Sequence, residues 1–130
     1  MSYYFNKVVK TKNFDEAIEQ VTAALKVEGF GVLTDINIQK AFKEKIDVDF
    51  KKYRILGACN PGYAHKALLA EDKIGVFLPC NVIVEEHENG DIEVSIVDPV
   101  ASMASIENKN IYEFAVEVQE KMKAVIDALN

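Results

Sequence analysis

The chain has no tryptophan, two cysteines, two histidines and three prolines in 130 residues. Each scarcity excludes something. So few prolines, beside six glycines, rule out a collagen-like or linker polymer. Two cysteines cannot build the disulfide framework of a small secreted domain, and they read as reduced thiols of a cytoplasmic protein. No apolar run approaches the ~18 residues of a membrane span. The stretch Met1–Lys7 lacks the apolar region and small-residue cleavage site of a signal peptide. Positive charge is also short: 15 Lys and Arg against 21 Asp and Glu, a net charge of −6. An acidic chain is repelled by phosphate backbones unless its basic residues cluster. The densest basic stretch, Lys40–Arg54, is broken up by Glu44, Asp47 and Asp49. No nucleic-acid partner is expected. Scattered charge without Trp likewise argues against a membrane-surface helix.

What is present is an ordinary apolar content of 49% in a chain of single-domain length. A domain of that size buries roughly two-thirds of its unfolded-chain surface, enough for a core without staples. One domain over residues 1–130 is expected.

Two residue periods alternate along the chain. Tyr3–Lys10 is aromatic and β-branched and reads as a strand. Asn13, with Glu16 three residues on, opens a helix over 14–28 that Gly29 ends. A second strand spans Phe30–Ile36. Asn37 caps a short helix to Ile46 with Ile38, Ala41, Phe42 and Ile46 on one face. A third strand covers Lys52–Cys59. Asn60-Pro61 is a strong helix start, and helix 61–71 is expected to turn Ala64, Ala67 and Leu68 inward. Ile74–Val84 reads as an apolar strand bent at Pro79. Asn110 and Glu113 open the last helix, whose apolar stripe runs from Ile111 to Leu129. Residues 99–109 show no clear period. This order predicts an α+β fold, an antiparallel or mixed sheet packed against helices.

Asn89-Gly90 signals a hairpin with a two-residue type I′ turn. That turn sets Val84 opposite Ser95, Val82 opposite Val97, Asn81 opposite Asp98 and Cys80 opposite Pro99. Ile83, Ile92, Val94 and Ile96 then share one face, with Val82, Val84 and Val97 on the other. Two helices can cover only one of these faces. The other would be covered by residues 99–109 or by a second copy of the chain, and a homodimer is expected.

Candidate chemistry centres on two Cys-Asn pairs, Cys59-Asn60 and Cys80-Asn81. Cys59 precedes a helix start, where partial positive charge favours a thiolate. His65, one turn into that helix, is its candidate partner, and Cys80 a candidate resolving thiol. Set against this, free cysteines usually pack as small hydrophobes. Asn60 is explained by its capping role. Asn81 lies inside an apolar strand, where a buried amide needs partners. Asp98 is one candidate partner, although Asp98-Pro99 is equally a turn signal. Cys59, Asn60, His65, Cys80, Asn81 and Asp98 are therefore the candidate ligand-binding residues. Arg54 could bind an anion or simply pair with a carboxylate. Cys59, His65, Cys80 and His87 match no zinc spacing, and His87 falls near the hairpin turn, apart from the rest. No metal or cofactor is expected. The phosphate loop, the G-x-S-x-G elbow and H-E-x-x-H are all missing.

Gly57-Ala-Cys-Asn-Pro61, Ala64-His65, Ile74-Gly75, Leu78-Pro-Cys-Asn-Val82 and Asp98-Pro99, with the run Leu25–Thr34, resemble a small prokaryotic family. It is catalogued as domain of unknown function 302. The resemblance covers nearly the whole chain. It implies a TATA-binding-protein-like fold, β-α-β4-α with elaborations, usually dimeric. It does not imply DNA binding, since function lives in sites grafted on folds. Two functions follow as expectations. One is a dimeric small-ligand-binding or accessory protein with a pocket near the Cys-Asn motifs. The alternative is a thiol-dependent enzyme using Cys59.

Overall fold

The computed structural model describes residues 2–130. Five strands, β1 (Tyr4–Val9), β2 (Gly31–Asn37), β3 (Tyr53–Cys59), β4 (Cys80–Glu86) and β5 (Ile92–Val97), form one sheet in the order β1-β5-β4-β3-β2. Every pairing is antiparallel. Two long helices, α1 (Phe14–Val27) and α5 (Lys109–Ala128), contact the sheet strands. Three shorter helices complete the chain: α2 (Ile38–Ile46), α3 (Pro61–Ala70) and α4 (Pro99–Ser102). The fold is the α+β class expected from the element order.

The local signals explain most boundaries. Asn13 accepts from the Glu16 amide at 3.0 Å and starts α1. Gly29, with φ near +87°, ends it: the Phe30 amide returns to the Leu25 carbonyl and the Gly29 amide to Lys26. This crossed pair of bonds needs a left-handed residue, which glycine adopts without steric cost. Asn37 and Asn60 cap α2 and α3 through the Lys40 and Tyr63 amides.

The hairpin departs from expectation by one residue. Val82 stands opposite Ile96, Ile83 opposite Ser95 and Val84 opposite Val94. The loop has three residues: the Gly90 amide bonds the His87 carbonyl, and the His87 amide bonds that of Asp91. Gly90 takes a positive φ and Asn89 does not, so the type I′ geometry, which needs both, is absent. The core decides the matter. A one-residue slip turns every side chain of a strand to the opposite face. The observed register gathers Val82, Val84, Ile92, Val94 and Ile96, all fully buried, on the helix side.

Other departures follow from burial and backbone chemistry. The strand expected over Ile74–Val84 begins only at Cys80; residues Asp72–Phe77 form a 3₁₀ turn that buries Ile74 and exposes Val76. Pro79 has no amide to donate to the ladder, so pairing starts after it. In α3, Ala67 is buried but Leu68 points to solvent. The last helix is capped by Asn108, which accepts from the Asn110 amide, so the cap lies two residues before the expected Asn110. The segment after Asp98 does not cover the second sheet face. Met103 joins Ala67, Ile74, Ile111 and Ala115 in a small core of its own beside α3 and α5.

Candidate functional site

The two Cys-Asn motifs meet at one end of the sheet. β3 runs out at Cys59 where β4 begins at Cys80, with Ala58 opposite Cys80 and Gly57 opposite Asn81. Close packing holds this junction. A Cβ on Gly57 would sit 2.2 Å from the Thr34 hydroxyl oxygen and 2.7 Å from Pro79 Cγ. Thr34 reaches Gly57 because Leu33 is an extra residue bulged out between Val32 and Thr34. A Cβ on Gly29 would likewise meet Asn60 Nδ2 at 2.8 Å. Gly29, Asn60, Gly57 and Pro79 are thus spacing elements, and their chemistry is that of close approach.

Cys59, Asn60 and Cys80 line one void, together with Tyr63 and Pro79. Its volume is about 20 Å³. That admits one water at most, against the ~300 Å³ of a small-molecule site. Burial pushes the Cys80 thiol up to about 11, with neighbouring Cys59 adding to the rise. Cys80 is therefore a neutral, weakly nucleophilic core thiol at neutral pH. Cys59 is half-buried and free.

The remaining candidates lie apart from that void. His65 is exposed on α3. Asp98 caps α4 by accepting from the Val100 amide at 3.0 Å, and Gln119 Nε2 donates to the same oxygen at 3.0 Å. It makes the turn that Asp98-Pro99 signalled and does not pair with Asn81. Arg54 forms a two-pronged pair with Asp35, its Nε 2.7 Å from Oδ1. The Arg54 hydrogen bond holds the Asp35 carboxyl below the usual range, despite some opposing burial. That occupies the guanidinium with a carboxylate of its own chain.

Asn81 is exposed on the sheet face that the helices leave open. It borders a shallow basin of about 410 Å³ whose other walls include Tyr4, Tyr53, Ile83, Glu85 and Glu93. Phe50 extends the aromatic surface, 6.2 Å between ring centroids from Tyr53 and 5.1 Å from Phe42 of α2. Sequence reasoning placed only Asn81 of this group. Tyr53, Ile83, Glu85 and Glu93 alternate with core residues along β3, β4 and β5, and Tyr4 stands on β1, so the face they line depends on the register.

An antiparallel five-stranded sheet with two long helices packed on it and one face open defines a class of small α+β domains. The chain belongs to the DUF302 family, described as a domain of unknown function, whose model matches residues 5–129. A solved structure, the uncharacterized conserved protein DUF302 from Bacillus stearothermophilus, superposes with a TM-score of 0.91 at 29% identity, over 100% of both chains. No curated protein matches the chain. Among the described residues, no helix is long and apolar enough to cross a membrane.

Proposed function

We propose that the protein is a dimeric small-ligand-binding or accessory protein without catalysis of its own, and that its working surface is the open face of the sheet. The observation behind this reading is the character of that face. Tyr4, Val8 and Ile36 are exposed there, and Tyr53, Ile55, Ile83 and Val97 are half-buried around the basin. Exposed apolar side chains gathered on one face, here interspersed with Asn81, Glu85 and Glu93, are the kind of surface that interaction sites use. Strands of this length, five abreast, present roughly 20 Å by 24 Å of surface. In projection that is about 480 Å², to which side-chain relief adds, against the ~800 Å² per partner of an ordinary stable interface. A second copy laid over part of it would turn the basin into an enclosed pocket beside Asn81.

Sedimentation velocity at micromolar concentration tests the dimer. The expected species has twice the 14.5 kDa mass of one chain, and Ile83→Asp shifts it to the single chain. A sole wild-type species near 14.5 kDa overturns the reading. Native mass spectrometry of protein purified from its own host tests for a retained small molecule.

A second reading, thiol chemistry at Cys59, draws on one observation: both cysteines line the same void. It requires Cys59 to react with iodoacetamide at pH 7 much faster than Cys80, and His65→Ala to slow it. Equal, slow labelling of both thiols in the folded protein leaves Cys59 a packing residue.

A further inference from the structure

Two carboxylates face each other across the hairpin. Glu85 of β4 and Glu93 of β5 are direct cross-strand partners. Like charges in that position destabilise a sheet unless something bridges them. Here they are also poorly hydrated, with side chains only 14% and 18% exposed. His87 lies two residues beyond Glu85 on the same sheet face, its Nε2 2.8 Å from Glu93 Oε1. One donor atom from each of Glu85, His87 and Glu93 lies within 4.8 Å of the others. Lys51 supplies a single fixed cation, 2.6 Å from Glu85 Oε1. Asn6 donates to the far oxygen of Glu93.

We propose that Glu85, His87 and Glu93 form a binding site for a divalent transition-metal ion of the zinc type. The donor set is one imidazole nitrogen and two carboxylate oxygens, which suits such ions. Magnesium and calcium prefer all-oxygen coordination, so an imidazole nitrogen among the three donors favours a zinc-type ion over either. The three ligands stand on a two-stranded hairpin inside the sheet, so their backbone positions are set before any ion arrives. Asn6 on Glu93 and Lys51 on Glu85 act as outer partners that orient the carboxylates. Three protein ligands leave a coordination position open. Glu85 and Glu93 both border the basin, so that position faces the surface of the proposed ligand site. The ion would give the basin affinity for a small ligand bearing an anionic or carbonyl oxygen. The ion site is complete within one chain. Only its role toward a ligand rests on the binding function proposed above.

The test uses the full chain, stripped with a chelator and titrated calorimetrically with zinc chloride. The expected result is one zinc per chain at micromolar affinity or tighter. His87→Ala and Glu93→Gln should each weaken it by at least about tenfold, while Cys59→Ser and His65→Ala leave it unchanged. His87→Asn and a melting curve for each variant confirm that the loss is local. Cobalt in place of zinc should give no thiolate-to-metal charge-transfer band. No saturable binding, binding that survives both ligand variants, or a thiolate band would each overturn the site. Sedimentation in chelator keeps the two proposals separate. A dimer that binds no zinc removes the ion site alone, and a single chain that binds zinc removes the dimer alone.

Discussion

The two faces of the sheet are built from alternate residues of the same strands, yet they have opposite characters. Toward the helices, β3, β4 and β5 present Leu56, Val82, Val84, Ile92, Val94 and Ile96, all inaccessible to water. On the other side the same strands present Tyr53, Ile83, Glu85, Glu93, Ser95 and Val97, apolar and charged in mixture. An antiparallel sheet needs only one covered face to be stable. The covered face therefore carries the folding free energy. The open face is free to hold carboxylates, an imidazole and tyrosines, groups that a close-packed core tolerates poorly.

Truncation on each side should break or sharpen that contrast. Ile96→Ala leaves a cavity under α1 and α5 and should cost about 2–5 kcal/mol in urea unfolding. Ile83→Ala, on the neighbouring strand but the open face, should cost less than about 1 kcal/mol at low concentration. Its cost should grow with protein concentration if copies meet there, because association stabilises by mass action. Equal losses for the two would mean that the open face is covered within the chain.

A smaller effect is expected at the motif junction. Gly57→Ala forces a Cβ against Thr34 and Pro79 and should destabilise by about 1–3 kcal/mol. Gly31→Ala, where a Cβ meets nothing within 4 Å, is the control and should change stability far less. Thr34→Ala should recover part of the Gly57→Ala loss.

The smallest effect is electrostatic. The folded Glu93 carboxyl titrates below its ordinary value of 4.5 because Asn6 and His87 hydrogen-bond to its charged form. Its stabilisation is therefore complete above that value and is lost as pH falls through the lower, folded one. Glu93→Gln should lower the melting temperature slightly at pH 7, and the difference from wild type should shrink as the pH drops below 4.5. A difference independent of pH would show that the carboxylate charge contributes nothing.

Much of the fold is legible without coordinates where the controlling interaction is local. Asn13, Asn37 and Asn60 are read correctly as helix caps because each bonds the amide three residues on. Gly29 is read as a helix stop for the same reason. The last helix is found, but its cap is misplaced because Asn108 and Asn110 are equally suited by type, and a tertiary contact distinguishes Asn108, whose side-chain amide donates to the Ala70 carbonyl at the end of α3. Leu68 is expected inward because its spacing fits, yet α3 buries only Ala67. The candidate site is less legible than the fold. Cys59, Asn60 and Cys80 do come together, around a void too small for a ligand. His65, Asn81 and Asp98 go elsewhere.

Sequence alone determined the five strands, the helices α1, α2, α3 and α5 and their order, the α+β class and the family, because these depend on short-range capping, residue period and contiguous motifs; the turn at Asp72–Phe77 and the short helix α4 escaped it. The hairpin register was decided only by tertiary packing. Asn89-Gly90 is compatible with a two- or a three-residue loop, whose energies differ little locally. The choice was made by five aliphatic side chains that all had to reach the same helices. That one-residue choice brought Glu93 opposite Glu85 and beside His87, where the two-residue turn would have set Glu85 opposite Val94. Contacts across neighbouring strands are invisible to any local signal, because the register that creates them is a property of the whole core.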